Sequence, residues 1–371
     1  MERNLRELRV LSVGELEMTP LFIPTRNRPT ALSNMLRYLV RFYPSTHVII
    51  ADGSSENYKS LNRQTVDALK HDLAIDYRPY PADLPIFDRM LDVLRSESFE
   101  FVINGSDDDF PMIDTLREGE AFLRDHQDYS TAIGMLVNLW LDSPVELRTQ
   151  MFPIRPIVAN SALSRVRQYA ADHYLFATAY GVARREALIE RYERSGKFFL
   201  VSFIDYTLGI YDCLHGKIKA LPKVGFICTR NYGHAYLRTE AGLQYLRRSS
   251  EVLQQADQFR KDLMQYACLD EETAKKESAH LIKERIRVLV RRFPHKMRAF
   301  NRRPTDPIVQ EQFDIFDAMF EQGTPARAEY EERLTFIIQA MKANAESDDN
   351  KGERKKTETL ESQMEMLAGG P

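Results

Sequence analysis

The sequence is poor in cysteine, has no long apolar run and carries no excess of positive charge. Its three cysteines, Cys213, Cys228 and Cys268, are widely spaced and have no second Cys or His at metal-ligand spacing, which favours a reducing compartment and argues against structural zinc. The net charge of -3 gives no overall basic field for nucleic acid. No apolar run reaches the ~18 residues that span a bilayer, and residues 1–20 lack the apolar core of a signal peptide. We therefore expect a cytoplasmic protein, soluble or peripheral at the inner face of the membrane.

The apolar residues that are present follow two alternating patterns. They make up 43% of the 371 residues and include 20 Phe and 17 Tyr, which is enough for a sizeable core. Short apolar runs predict strands, and apolar residues at helical spacing predict helices between them. This alternation predicts an α/β fold with a doubly wound, mostly parallel sheet covered by helices on both faces. The predicted strands are 20–25, 47–54, 73–80 and 99–105, and the helices are 32–40, 61–71 and 86–95.

The later part of the chain is less regular and then becomes helical. A strand is predicted at 131–137, a helix at 203–217 and a strand at 218–231, and no strand signal follows residue 242 or so. The polar tail that follows residue 345 is expected to be disordered. The pattern divides the chain into an N-terminal segment (1–17), a main domain (18–240), a helical extension (241–345) and the tail (346–371).

One segment of the extension, 281–303, is basic and amphipathic. It has nine Lys or Arg against one Glu, and its apolar residues recur every three or four positions. Such a helix lies on an anionic membrane surface or packs its apolar stripe against the main domain. Both alternatives are open at the level of sequence.

Three polar clusters follow predicted strands. They are TRNRP (25–29), ADGSS (51–55) and SDDD (106–109). Open α/β sheets bind ligands in the crevice beyond the carboxyl ends of their strands, which is where all three clusters would meet. The hydroxyl and guanidinium groups of the first cluster suit a base edge or a phosphate.

The carboxylates of these clusters admit several roles. Asp107, Asp108 and Asp109 repel one another, so they form a solvated turn, cap a helix beginning near Pro111, or hold a hard cation. Asp52 accepts hydrogen bonds from a base or ribose, or forms an ordinary Asx turn.

The three clusters, in this order, resemble the nucleotide-sugar-binding half of the family 2 glycosyltransferases with the GT-A fold. The resemblance covers about residues 18–240, and it depends on the joint spacing of IPTRNRPTALSNML, IIADGSSEN and FVINGSDDDF. It implies an enzyme that moves a sugar from a nucleoside diphosphate sugar to a hydroxyl of a glycan or lipid-linked acceptor, with Mg²⁺ or Mn²⁺ as cofactor. Surface glycan synthesis and an inverting hexosyltransferase type are the expected setting and class.

The resemblance also implies roles for individual residues. The pair Asp107 and Asp109 keeps the one-residue spacing of the paired aspartates in the family, although Asp108 could replace either. The implied metal ligands are Asp107, Asp109 and His234. The residues implied to contact the nucleotide sugar are Pro24, Thr25, Arg26, Arg28, Asp52, Ser54, Asp107 and Asp108.

Asp205 best matches the acidic residue that deprotonates the acceptor hydroxyl in this family. The chain has Ile204 where the family commonly has Glu, and a helix-capping role for Asp205 is the alternative. A sugar nucleotidyltransferase and a catalytically silent nucleotide-sugar-binding module are the other functions that the sequence leaves open. Further candidates are Arg230 and Arg238 for the diphosphate, and Arg167, Tyr180 and Arg184 for the acceptor.

Overall fold

The computed structural model describes residues 19–141, 147–171, 179–195, 201–230, 249–291 and 306–346. Only the backbone is described for 201–205, 230, 249–255 and 284–291. The strands are β1 (Leu21–Thr25), β2 (His47–Asp52), β3 (Ala74–Pro79), β4 (Phe101–Asn104), β5 (Asp109–Pro111), β6 (Tyr129–Leu141), β7 (Leu147–Phe152), β8 (Gly181–Arg184) and β9 (Lys217–Arg230). The helices are α1 (Pro29–Phe42), α2 (Glu56–Leu69), α3 (Ile86–Ser96), α4 (Ile113–Asp125), α5 (Ala162–Ala171), α6 (Arg185–Ser195), α7 (Val201–His215), α8 (Ser249–Tyr266), α9 (Glu271–Arg291), α10 (Pro307–Phe320) and α11 (Pro325–Glu346).

The strands of the described residues form one sheet in the order β3-β2-β1-β4-β8-β6-β9-β5, with β7 paired to β6. The first four strands are parallel, and Thr25 lies opposite Asp52 in the register of β1 and β2. Strand β8 is antiparallel to both β4 and β6, so β6 again runs parallel to β4, and β9 runs parallel to β6. The carboxyl ends of β1, β2, β3, β4, β6 and β9 therefore lie along the same edge of the sheet.

Both faces of the sheet are covered, as side-chain alternation along the strands requires. In β1, Leu21 and Ile23 pack with Leu36 of α1 on one face. Phe22, between them, belongs to a second core on the opposite face with Val93 of α3. The predicted α/β class, with a doubly wound sheet and C-terminal helices, is confirmed.

The structure differs from the predicted elements where the chain is irregular. Helix α2 begins at Glu56, five residues before the predicted 61, and β6 extends beyond 131–137 at both ends. Strands β5, β7 and β8 were not predicted because they have only three to six residues each and lack a strong period. The helix expected near Pro111 begins at Ile113, and no side chain caps it.

The C-terminal helices pack on the sheet domain and share its core. Gln312 of α10 is fully buried, and its amide group donates to the carbonyl oxygens of Ile154 and Leu221, both at 3.1 Å. In α11, Asn344 accepts a hydrogen bond of 2.8 Å from Asn34 of α1. Many apolar residues of α8 to α11 belong to the same core cluster as β1 and β6.

Only the beginning of the basic segment 281–303 has described side chains. Ile282, the first residue of the apolar stripe, is 6% exposed and its neighbour Leu281 is fully buried, so the start of the segment packs inside the protein. Lys283 is exposed, the side chains from 284 onward lie outside the described residues, and membrane contact through the segment stays a prediction. None of the described helices has the length and apolar content that a bilayer crossing requires.

A buried ion pair holds α7 against α6. Arg191 and Asp212 are both fully buried, and the Arg191 Nη1 atom lies 2.9 Å from Asp212 Oδ2. Arg191 also donates to the hydroxyl of Tyr192, which in turn donates to Asn104 at the carboxyl end of β4. The pair therefore fixes the position of α7, the helix that carries Asp205, relative to the edge of the sheet.

We predict that Arg191→Met lowers the free energy of unfolding by about 3–5 kcal/mol, because it leaves the Asp212 carboxylate buried without its guanidinium partner. Urea unfolding measures the loss. The double variant Arg191→Met, Asp212→Leu removes both charges and should be more stable than the single variant. Equal instability of the two variants would show that the ion pair is not the cause.

Candidate functional site

The loops after β1 and β2 are joined into one structure at the carboxyl edge of the sheet. Asn27 has a φ of 56°, the left-handed region that Asn tolerates better than most residues. In this conformation its backbone N–H donates to Ser54 Oγ at 2.8 Å, and its Oδ1 accepts from the N–H of Ser55 at 2.9 Å. The first two predicted clusters are therefore in direct contact.

Asp52 lies at the end of β2 and is fully buried. Its Oδ1 accepts from the N–H of Ser54 at 2.7 Å, which is the Asx turn that the sequence left open. Its Oδ2 accepts from Asn62 Nδ2 at 2.7 Å and from the Tyr77 hydroxyl at 2.5 Å. Burial, together with the hydrogen bond to Asp52, raises the pKa of Tyr77. The carboxylate is thus oriented from three sides.

Arg89 was not among the residues predicted from the sequence, and it binds main-chain carbonyl groups next to both loops. It is 2% exposed, and its Nη1 donates to the carbonyl oxygens of Thr25 at 3.0 Å and Ala51 at 2.9 Å. Burial lowers the pKa of this guanidinium. A Cβ atom at position 53 would lie 2.4 Å from Arg89 Cζ, which explains why Gly53 stands there. The signal in the sequence was an arginine on the apolar face of helix 86–95.

Arg28 links the first cluster to the aspartate run. Its Nη1 lies 2.7 Å from Asp107 Oδ1, and its Nη2 contacts Asp108 Oδ2. Asp107 also accepts from Thr25 Oγ1 at 2.8 Å, and Asp108 accepts from Ser106 Oγ. Because both carboxylates are nearly buried, the run is neither a solvated turn nor a helix cap.

Asp109 is bound on its other side, by β9 and by Tyr180. It is 1% exposed and opens β5. Its Oδ1 accepts from the N–H of Thr229 at 2.8 Å, and its Oδ2 accepts from the Tyr180 hydroxyl at 2.5 Å. The three adjacent aspartates therefore divide: Asp107 and Asp108 share Arg28, whereas Asp109 binds a different part of the sheet.

The electrostatics of the run favour a cation. Burial raises the pKa of Asp107 to about 7, against the attraction of Arg28, which lowers it. The carboxylates of Asp108 and Asp107 raise the pKa of Arg28, although burial opposes them. Among the described residues, Arg28 is the guanidinium that bonds to the run, and it is shared by two of the three carboxylates.

The carboxylates suit Mg²⁺ or Mn²⁺ chemically, because these ions prefer hard oxygen ligands. Within the part of the chain that the structure describes, however, no three acidic, histidine or cysteine side chains are arranged as a metal site. The guanidinium of Arg28 donates to both Asp107 and Asp108, and the hydroxyl of Tyr180 donates to Asp109. A divalent ion bound by this set would have to replace one or more of these hydrogen bonds.

The remaining predicted residues are distributed as follows. Pro24 lies within β1 opposite Ala51, Arg26 is exposed, and Ser54 is fully buried. The side chains of Asp205 and Arg230, and all of His234 and Arg238, lie outside the described residues.

The backbone of α7 places Asp205 in the half of the helix that is nearer the carboxyl edge of the sheet. Helix α7 ends at His215, and β9 starts at Lys217 and runs towards the carboxyl edge. Near the end of α7, the carbonyl oxygen of Asp212 accepts from Ser130 Oγ at the beginning of β6. The first turns of α7 therefore point towards the edge where the three clusters meet.

Two predicted acceptor residues lie elsewhere. Arg184 pairs with Phe101 at the opposite end of β4, where it binds Glu100, so its prediction was wrong. Arg167 forms an exposed ion pair with Glu277 of α9. Tyr180, by contrast, lies at the crevice, where its hydroxyl donates to Asp109.

Comparisons with known proteins give distant structural likenesses. No protein-family model matches the sequence, and no curated protein is significantly similar to it. Similar solved structures include S. aureus TarS 1–349 with UDP-GlcNAc, at 16% identity over 89% of this chain and 90% of that one, with a TM-score of 0.46. They also include the mannosyltransferase PcManGT from Pyrobaculum calidifontis with GDP-Man and Mn²⁺, at 14% identity over 88% and 85%, with a TM-score of 0.43.

The chain spans about half the length of a longer S. aureus TarS structure, with 55% of that chain covered at a TM-score of 0.45.

We predict that Arg89→Met lowers the free energy of unfolding by about 1.5–3 kcal/mol, because it removes charge-assisted hydrogen bonds to two buried carbonyl groups. Urea unfolding measures the change. Arg95→Met is the matched control on the same helix. Arg95 is 57% exposed and pairs with Glu193, so its loss should cost no more than about 1 kcal/mol. Equal effects of the two substitutions would contradict a special role for Arg89.

Proposed function

We propose that this protein is a glycosyltransferase of the family 2, GT-A type, which moves a sugar from a nucleoside diphosphate sugar to an acceptor hydroxyl. One observation carries the proposal: the three polar clusters that resemble this family are bonded to one another at the carboxyl edge of the parallel strands. Asn27 joins the first cluster to the second, and Arg28 joins the first to the third. Such an edge is where open α/β sheets bind nucleotides.

In this proposal the two joined loops orient the nucleotide. Asp52 and the loop 25–28 are candidates for the base and ribose, because they combine carboxylate, hydroxyl and guanidinium groups around one rigid turn. Arg89 holds the carbonyl groups beneath them, so the loop geometry is set before the donor binds. Preorganisation of this kind reduces the free energy spent on ordering the site.

The departing diphosphate needs its negative charge balanced. A Mg²⁺ or Mn²⁺ ion held by Asp107, Asp109 and His234 would supply this balance when bound. Arg28 has the planar fork of donors that suits phosphate oxygens. Asp205, in the first half of α7, is the candidate base for the acceptor hydroxyl, and attack opposite the leaving group would invert the anomeric centre.

A sugar nucleotidyltransferase is less well supported. It would want a glycine-rich basic loop after the first strand, whereas this loop turns at Asn27 and directs Arg28 to carboxylates. A catalytically silent binding module would bind nucleotide without turnover, so turnover separates it from the enzyme.

The first test is calorimetry with UDP and with GDP, in the presence and absence of Mn²⁺. We expect binding that Mn²⁺ strengthens, and we expect Asp109→Asn to abolish the strengthening while the protein stays folded. Asn retains the oxygen that accepts from Thr229, so the fold should tolerate it. The same substitution at the exposed Asp125 is the control and should change nothing. Metal-independent binding, or none, would contradict the catalytic proposal.

The second test concerns Asp205. We predict that Asp205→Asn keeps donor binding but lowers turnover about 10²–10⁴-fold, the range expected for loss of a general base. Slow hydrolysis of a panel of nucleotide sugars measures turnover without a known acceptor. Wild-type hydrolysis by the variant would remove Asp205 from the mechanism.

A further inference from the structure

The guanidinium of Arg28 covers the two carboxylates that it bridges. The side chain of Arg28 is 37% exposed, whereas those of Asp107 and Asp108 are 4% and 12% exposed. The buried hydroxyl of Thr25 donates to Asp107, and the half-buried hydroxyl of Ser106 donates to Asp108. Arg28 is therefore the member of this bridge that a ligand from solvent reaches most readily.

The same guanidinium has two suitable kinds of partner in the proposed reaction. Its fork of donors matches a pair of carboxylates, as the structure has it, and equally matches the oxygens of a diphosphate. A divalent ion, in turn, competes with a guanidinium for hard carboxylate oxygens. Arg28 directly precedes α1, whose first residue is Pro29, so its backbone is fixed while its long side chain can rotate.

We propose that Arg28 is an exchangeable internal cation: it leaves Asp107 and Asp108 when a divalent ion binds the aspartate run, and it then holds the diphosphate of the donor. The proposal goes beyond a static phosphate contact and rests on the proposed function for its second half. In this proposal the divalent ion and the diphosphate each raise the affinity for the other. Both ligands favour the position in which Arg28 has left the carboxylates. Such coupling is reciprocal by thermodynamic necessity.

The exchange predicts opposite effects of one substitution on two ligands. Without Arg28, Mn²⁺ alone no longer has to displace two charge-assisted hydrogen bonds, so Arg28→Gln should bind Mn²⁺ about tenfold more tightly than the wild type. The same variant should bind UDP or GDP more weakly in saturating Mn²⁺. The factor by which the diphosphate strengthens Mn²⁺ binding should fall.

The substitution Arg28→Lys tests whether Mn²⁺ binding depends on the forked geometry of the guanidinium or only on its positive charge. Lysine keeps the positive charge but lacks the rigid fork that holds both carboxylates. We expect its Mn²⁺ affinity to lie between those of the wild type and Arg28→Gln. If only the charge matters, Arg28→Lys will bind Mn²⁺ as the wild type does, and that result would overturn the proposal.

The measurements are Mn²⁺ titrations of the whole chain by calorimetry, without and with nucleoside diphosphate, and thermal melting in Mn²⁺ and in EDTA. Melting keeps the test valid if Arg28→Gln is unstable: Mn²⁺ should raise its melting temperature more than that of the wild type. Unchanged or weaker Mn²⁺ binding by Arg28→Gln would overturn the exchange. A third outcome is that no nucleoside diphosphate binds although the variant binds Mn²⁺ more tightly. This result would overturn the proposed function and the diphosphate half of the exchange. It would still support competition between Arg28 and the ion for the carboxylates.

Discussion

The parallel register of β1 between β2 and β4 is the constraint on which the crevice depends. It places Thr25, the last residue of β1, beside Asp52, the last residue of β2, and it places Asn104, the last residue of β4, beside Phe22 of β1. Because side chains alternate along a strand, a slip of one residue would move Asp52 to the opposite face. Neither the Asn27 link nor the Arg28 bridge would then form. The register of the apolar strands thus determines the positions of the polar residues at their ends.

Two arginines support this edge by different physical means. Arg89 is buried, and the contacts described for it are with main-chain carbonyl groups, so it stabilises backbone geometry. Arg28 is partly exposed and bound to carboxylates, so its partners are charges that a ligand can compete for. Burial and partner chemistry together indicate that Arg89 is a fixed component of the fold, whereas Arg28 is suited to exchange.

The sequence predicted the parts of this structure that depend on the periodicity of apolar residues and on the order of the strands and helices along the chain. The strands and helices up to Asn104 have clear patterns, and the three clusters that follow them were correctly expected to meet. What it could not predict depends on contacts between distant residues. Strand β5 exists only because Asp109 and its neighbours pair with β9, and Tyr180 reaches Asp109 through the antiparallel pairing of β8 with β4. Arg184 was misplaced because its segment gave no strand direction.

The C-terminal helices take part in holding the aspartate run. Phe336 of α11 packs against Tyr38 and Phe42 of α1, the helix that begins directly after Arg28. Tyr38 in turn contacts the ring of Phe110 and donates to the carbonyl oxygen of Pro111, both in β5. The same helix thus follows Arg28 in the chain and contacts the strand that begins at Asp109. Since α11 supports that helix from outside, we infer that the extension maintains the crevice and is not an independent attachment.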